Sequence, residues 1–209
     1  MKTRRLLWTT AVSALLLTSG SFAATYSETK HTQPAPGTAN DTMSAIRDSA
    51  GHAYGTVSAE VTTSLKGFAS EAIISDMYEV EAARIALERT QNQHIADFAH
   101  QMIKAHTRSS ERLRTVLVDL RDAPPLPTRL DGRRQRMIDE LRGAKAVDFD
   151  GRYLSQQVDA HNEALILLRR YSRSGDVKVA KLFADETIPA VRMHLALAQR
   201  LLSNHDRRS

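Results

Sequence analysis

His106 in "QMIKAHTRSSERL", His161 in "VDAHNEALILL" and His194 in "PAVRMHLALAQ" stand where a helix normally turns leucine, isoleucine or methionine inward. At about 100° per residue, His106 lies about 40° from the centre of the apolar stripe at Met102, and His194 about 60° off its own, toward the edge. His161 falls near the centre of its stripe, between Leu154 and Leu165 and one turn after Gln157. On an earlier segment Asp76 lies near the stripe centre, with Glu79 and Glu81 flanking it on opposite sides. Imidazole nitrogens and carboxylate oxygens without thiolates suit a divalent transition metal, Zn, Cu, Fe or Ni. The candidate ligands are therefore Asp76, Glu79, His106, His161 and His194. The same residues also read as neutral histidines hydrogen-bonded to facing carboxylates or glutamine, a network that fixes helix register and holds no metal.

Other chemistry is excluded more firmly. The Glu-x-x-His pairs of di-iron helix bundles are missing, because Ile103, Val158 and Val191 stand three residues before the three histidines. No Gly-rich phosphate loop, G-x-S-x-G elbow or H-E-x-x-H is present. The absence of cysteine rules out disulfides, thiol nucleophiles, thiolate metal sites and a lipid anchor on cysteine. No residue is assigned as catalytic, and binding or structure is expected in place of turnover.

The elements that must position these residues show helical periodicity from Lys66 onward. A first helix over about 66–91 aligns Ala69, Ile73, Met77, Val80, Ala83 and Leu87, and a second over about 93–121 aligns Ile95, Phe98, Met102, Leu113, Val116 and Leu120. The second stops before Pro124-Pro125, and a short helix near 131–143 follows. A third long helix covers about 148–172, closed by "SRSGD", in which Gly175 suits a left-handed C-cap and Asp176 the next N-cap. The fourth, about 176–203, is interrupted by Pro189, which is expected to bend it. The expected fold is all-α: a four-helix bundle over 66–205, with a crossover that makes helices two and three parallel, as in ferritin-like proteins. Under that topology the inward carboxylate and the three histidines fall within roughly two helical turns of one height.

Ahead of the bundle, residues 1–23 begin with Lys2, Arg4 and Arg5, continue through an apolar stretch from Leu6 to Leu17, and end on small residues. This reads as a cleaved Sec signal peptide, too short in its apolar part to span a membrane, and it places the mature chain in the periplasm or outside the cell. Residues 24–65 read as a flexible tether with a short helix near 41–60. The formal net charge of +5 falls to +2 once Lys2, Arg4 and Arg5 leave with the signal, so the basic pI reflects targeting and gives no support to nucleic-acid binding. The basic run "RLDGRRQR", Arg129 to Arg136, reads as a solvated loop-to-helix surface. No later stretch is apolar enough to span a membrane, and a second copy of the chain or an envelope component is the partner class left open.

"ISDMYEVEAARIALERTQNQHIADFAHQMIKAHTRSSERL" resembles the opening helical pair of the bacterial domain-of-unknown-function family DUF4142, whose members are mostly exported and assigned a ferritin-like fold. "FDGRYLSQQVDAHNEALILLRR" and "DVKVAKLFADETIPAVRMHLALAQ" resemble its second pair, over a match running from about Gly67 to Leu202. By motif position the resemblance carries Glu79, His106, Asp159, His161, Pro189 and His194 onto this sequence. Lys104 and Ala105 replace two residues that the family often has as acids, which removes an acidic role just before His106. The resemblance implies fold and export, and lends no settled activity. Two functions therefore compete: an exported metal-binding bundle in metal handling or envelope stress, and a non-catalytic structural or interaction protein of the envelope.

Overall fold

The computed structural model describes residue 51, residues 55–59 and residues 61–208. Residues 1–23, expected to be a signal peptide, the expected tether up to residue 50, and His31 and His52 lie outside the described residues. Among the described residues there are helices and no strands. Residues 55–59 are helical, and beyond them run α1 (Leu65–Arg89), α2 (Gln93–Val118), α3 (Gly132–Gly143), α4 (Ala146–Ser174) and α5 (Lys178–Asp206).

Local chemistry sets the boundaries. Ser64, Asn92 and Asp131 cap α1, α2 and α3, each side chain accepting a backbone N–H of the first turn, from Gly67, His94 and Arg134 respectively. The turn between α4 and α5 departs from expectation. Gly175 is extended, with φ −64° and ψ 154°, and is not left-handed. A side chain is excluded there by space, since a Cβ would lie 2.6 Å from the Tyr171 carbonyl oxygen and 2.7 Å from its ring. Asp176 does not cap α5 but accepts the Tyr171 hydroxyl at 2.9 Å, and Val177 occupies the N-cap without a side-chain bond. Pro189 lies inside α5, which continues through it. α2 ends at Val118, short of the expected 121.

α1 packs mainly on α2, and α4 on α5, while the pairs meet through α1 with α4 and α2 with α5. Two apolar clusters fill the interior. One joins the start of α1 (Phe68, Ile73), the end of α2 (Leu113, Leu117), the end of α4 (Leu168, Tyr171) and the start of α5 (Ala180, Phe183). The other joins the end of α1 (Ile85, Ala86), the starts of α2 (Ile95, Phe98) and α4 (Phe149, Leu154), α3 (Ile138, Leu141) and the end of α5 (Ala198). α2 and α4 thus enter the same cluster by their starts and run in the same direction.

The long α2–α4 connection is pinned at both ends of α3. Arg133 and Arg134 both donate to the buried Glu163 carboxylate of α4, at 2.7–3.0 Å. Arg89, at the end of α1, donates to the carbonyls of Leu141, Arg142 and Ala144 and lies over the Phe149 ring at 4.6 Å. The basic run is therefore no solvated surface at these two positions: Arg134 is 4% exposed. Charge pairing with a carboxylate on a distant helix overrides what a local charge pattern suggests.

Candidate functional site

The two apolar clusters are separated by a layer of polar side chains. Asp76 and Glu79 come from the middle of α1, His106 and Ser110 from α2, Gln157 and His161 from α4, and His194 from α5. Each histidine replaces the apolar residue that its helix periodicity would otherwise place there. His106 follows Met102 by four residues, and His194 follows Val191 by three.

The three imidazoles form a nearly equilateral triangle. Ring centroids lie 5.5 Å apart for His106 and His161, 5.8 Å for His106 and His194, and 5.6 Å for His161 and His194. One ring nitrogen from each lies within 4.8 Å of the others. His106 and His161 are buried, and His194 is half-buried.

Hydrogen bonding assigns the tautomers. His106 Nδ1 lies 2.8 Å from Asp76 Oδ1, and the Ser110 hydroxyl donates to Asp76 Oδ2 at 3.0 Å. His161 Nδ1 lies 2.8 Å from the backbone carbonyl of Gln157. A carbonyl and an ionised carboxylate only accept, so both rings carry their proton on Nδ1 and turn a bare Nε2 away from these partners. Both Nε2 atoms, and His194 Nδ1, are buried and make no hydrogen bond within the protein.

Charge follows the same layout. Burial, then the charge of His106, pushes the His161 pKa down to about 3. Burial, with His106 and His161 adding to it, pushes His194 to about 3 as well. For His106 burial again opposes the charged form, but the hydrogen bond and charge of Asp76, helped by Glu79, outweigh it and raise its pKa. The trio thus presents two firmly neutral imidazoles and one tuned by a carboxylate. Neutral imidazole is the form that donates to a metal.

Of the five sequence candidates, the structure brings the three histidines together around one point and sets the two carboxylates behind the rings. Asp76 backs His106, and Glu79 Oε1 lies 3.6 Å from His161 Nδ1. Glu79 is 1% exposed; burial raises its pKa, while His106 and the Gln157 side chain act in the opposite direction. Glu81 lies outside this layer and pairs with Arg142 at 2.6 Å. Ser110 was absent from the sequence candidates. Its signal was the spacing, four residues after His106 on the same helix face.

A metal fits this donor set. Three imidazoles at about 2.0–2.1 Å from an ion stand about 3.4 Å apart, so the 4.8 Å span must contract by about 1.4 Å for all three to reach one ion. Carboxylate and carbonyl acceptors on the far nitrogens are the usual supports of metal-bound imidazoles.

The family model described as Domain of unknown function (DUF4142) matches residues 52–201. No curated protein and no solved structure matches the chain.

Proposed function

The chain belongs to the DUF4142 family, and we propose that it is an exported ferritin-like four-helix bundle that binds one divalent transition metal through His106, His161 and His194. The observation that carries this reading is the set of three bare ring nitrogens, one from each of three helices, within 4.8 Å of one another. A buried polar atom left without a partner costs about 1–3 kcal/mol. Two of the three rings spend their other nitrogen on a fixed acceptor, so no rotation of those rings satisfies the inner nitrogens without breaking an existing bond. A metal ion satisfies all three at once.

The all-nitrogen set suits Zn, Cu, Ni or Fe, and three protein ligands leave a coordination position open. Asp76 orients His106 and strengthens it as a donor, with Ser110 holding the second Asp76 oxygen. Export rests on residues 1–23, which have the composition of a Sec signal. A periplasmic chain without cysteine and with such a site belongs to metal handling or envelope stress. The competing structural reading draws on the Asp76–His106–Ser110 network, which alone locks α1 to α2.

The deciding experiment uses mature protein purified without an affinity tag. Metal content by mass spectrometry, together with thermal unfolding with and without chelator, should give near-stoichiometric metal and a chelator-sensitive melting temperature. Wild-type protein that carries no metal and takes up none of Zn, Cu, Fe or Ni would leave the structural reading standing.

A further inference from the structure

The middle of α1 places two buried carboxylates one turn apart on the inward face, and each stands behind a different imidazole. Asp76 Oδ1 bonds His106 Nδ1 at 2.8 Å, while Glu79 Oε1 lies 3.6 Å from His161 Nδ1. The second distance is too long for a hydrogen bond and short enough for an ion pair. Glu79 thus stands on the Nδ1 side of its ring, as Asp76 does on His106.

Glu79 is 1% exposed, and a buried carboxylate is costly unless it is paired. Glu163, 4% exposed, shows how this interior holds a structural one: two arginine side chains donate three bonds to it at 2.7–3.0 Å. Among the described residues, no lysine or arginine pairs with Glu79. The Gln157 side chain hydrogen-bonds it, Oε2 is left without a bond, and its one ion-pair contact is with a ring that burial keeps neutral. Its electrostatic coupling points to the histidine triangle, since Glu79 and His106 feel each other's charge. The bonding of the protein alone leaves this carboxylate short of positive charge, and a cation among the rings supplies it.

The charge balance of the layer agrees. Three neutral imidazoles bring no charge to an ion, and apolar clusters flank the layer on both sides. Asp76 and Glu79 together carry two negative charges, which match a divalent ion and leave one in excess around a monovalent ion. We propose that Glu79 is a positioning residue of the three-histidine centre, acting through His161 Nδ1, and that with Asp76 it sets a preference for divalent over monovalent ions. The inference rests on the metal reading above. The Gln157 carbonyl fixes the tautomer of His161, and the Glu79 carboxylate adds charge behind the ring.

Copper tests this, because one element offers both charges and Cu(II) binds nitrogen sites most tightly in the divalent series. The mature protein is loaded with copper, Cu(II) affinity is measured by competition, and the Cu(II)/Cu(I) reduction potential is measured alongside. Glu79→Gln keeps the side-chain shape and removes the charge. Cu(II) binding should weaken about 10–100-fold. Coulomb energy scales with the ion's charge, so Cu(I) binding should weaken only about 3–10-fold. The potential should therefore rise by about 30–60 mV, at about 59 mV per tenfold change. Glu81→Gln removes a charge two residues away and outside the layer, and should leave the potential where it is. Glu79→Met gives the same reading if Glu79→Gln fails to fold. A potential unchanged in the Glu79 variant, which means equal weakening of both oxidation states or none, overturns the role of Glu79 and leaves the metal site intact. An equal rise in Glu81→Gln does the same. Wild-type protein that fails to bind Cu(II) overturns the metal reading as well.

Discussion

Asp76 Oδ1 lies 2.8 Å from His106 Nδ1, a contact between the middle of α1 and the middle of α2 with both residues buried. The carboxylate fixes the ring's tautomer and orientation, and the Ser110 hydroxyl at 3.0 Å fixes the carboxylate. Removing the charge while keeping the shape isolates this support. Asp76→Asn should weaken metal binding about 10–100-fold, the usual effect of losing such a partner. Calorimetric titration of metal-free protein with Zn checks it, and an unchanged affinity would reduce Asp76 to a helix-locking residue.

Protonation of His161 gives a second prediction. Its folded pKa of about 3 lies below its ordinary 6.5. Between those values the unfolded chain holds a proton that the folded chain refuses, so this contribution is present above pH 6.5 and is lost as pH falls toward 3. The slope for one such group is about 1.4 kcal/mol per pH unit. His106 and Glu79 act with opposite sign, because their folded pKa values are raised and their contributions fade as pH rises. A difference measurement therefore isolates the effect. Metal-free His161→Gln should lose stability more slowly than wild type between pH 6 and 4, by about one proton's worth of slope. Urea titrations across that range read it directly, and parallel curves would mean that His161 is solvated.

How much of this was readable beforehand differs from residue to residue. The histidines announced themselves because helix periodicity assigns each position a direction, and an imidazole on an apolar stripe stands out against leucine and methionine. The same rule found Asp76, but could not tell whether it touches metal or supports a ring, since that depends on side-chain reach across two helices. Glu79 illustrates the point: its position on α1 was legible, but its approach to His161 Nδ1 was not. The burial of Arg133 and Arg134 was missed because their partner, Glu163, is about 30 residues away on another helix, and a charge run read locally looks solvated. The extended conformation of Gly175 was missed for a related reason. Space beside Tyr171, and no left-handed backbone, is what demands glycine there.

Gly55 offers a third prediction. An added Cβ would stand 2.4 Å from the Glu163 carboxylate, whose two arginine partners hold it in place. The close approach lets residues 55–59 lie against the core, where Ala59 is buried. Gly55→Ala should therefore release this segment more than it unfolds the bundle, since helix propensity alone favours alanine by about 1 kcal/mol. Hydrogen exchange should show lost protection at residues 55–59 and unchanged protection in α1 and α2. A global loss of stability would mean that the segment is integral to the core.

The last prediction concerns the clamp on the α2–α4 connection. Glu163 is 4% exposed and accepts from Arg133 at 3.0 and 2.7 Å and from Arg134 at 2.8 Å, and the Arg134 guanidinium also lies over the Tyr78 ring at 5.1 Å. Removing one partner of a buried ion pair leaves the other charge desolvated and uncompensated, at a cost of about 3–5 kcal/mol. Glu71 also feels Arg133, Arg134 and Glu163, but its own pKa is raised, first by burial and then by Asp131, so it compensates poorly. Glu163→Gln should thus destabilise the protein by about 3–5 kcal/mol. Replacing both charges, Glu163→Gln with Arg134→Met, should recover part of that loss, because the remaining Arg133 has a less buried side chain, 12% exposed, and can turn toward water. Urea midpoints of the metal-free single and double variants decide it. A double variant less stable than Glu163→Gln would show that Arg134 stabilises α3 through its packing on Tyr78 and its neighbours, independently of the carboxylate.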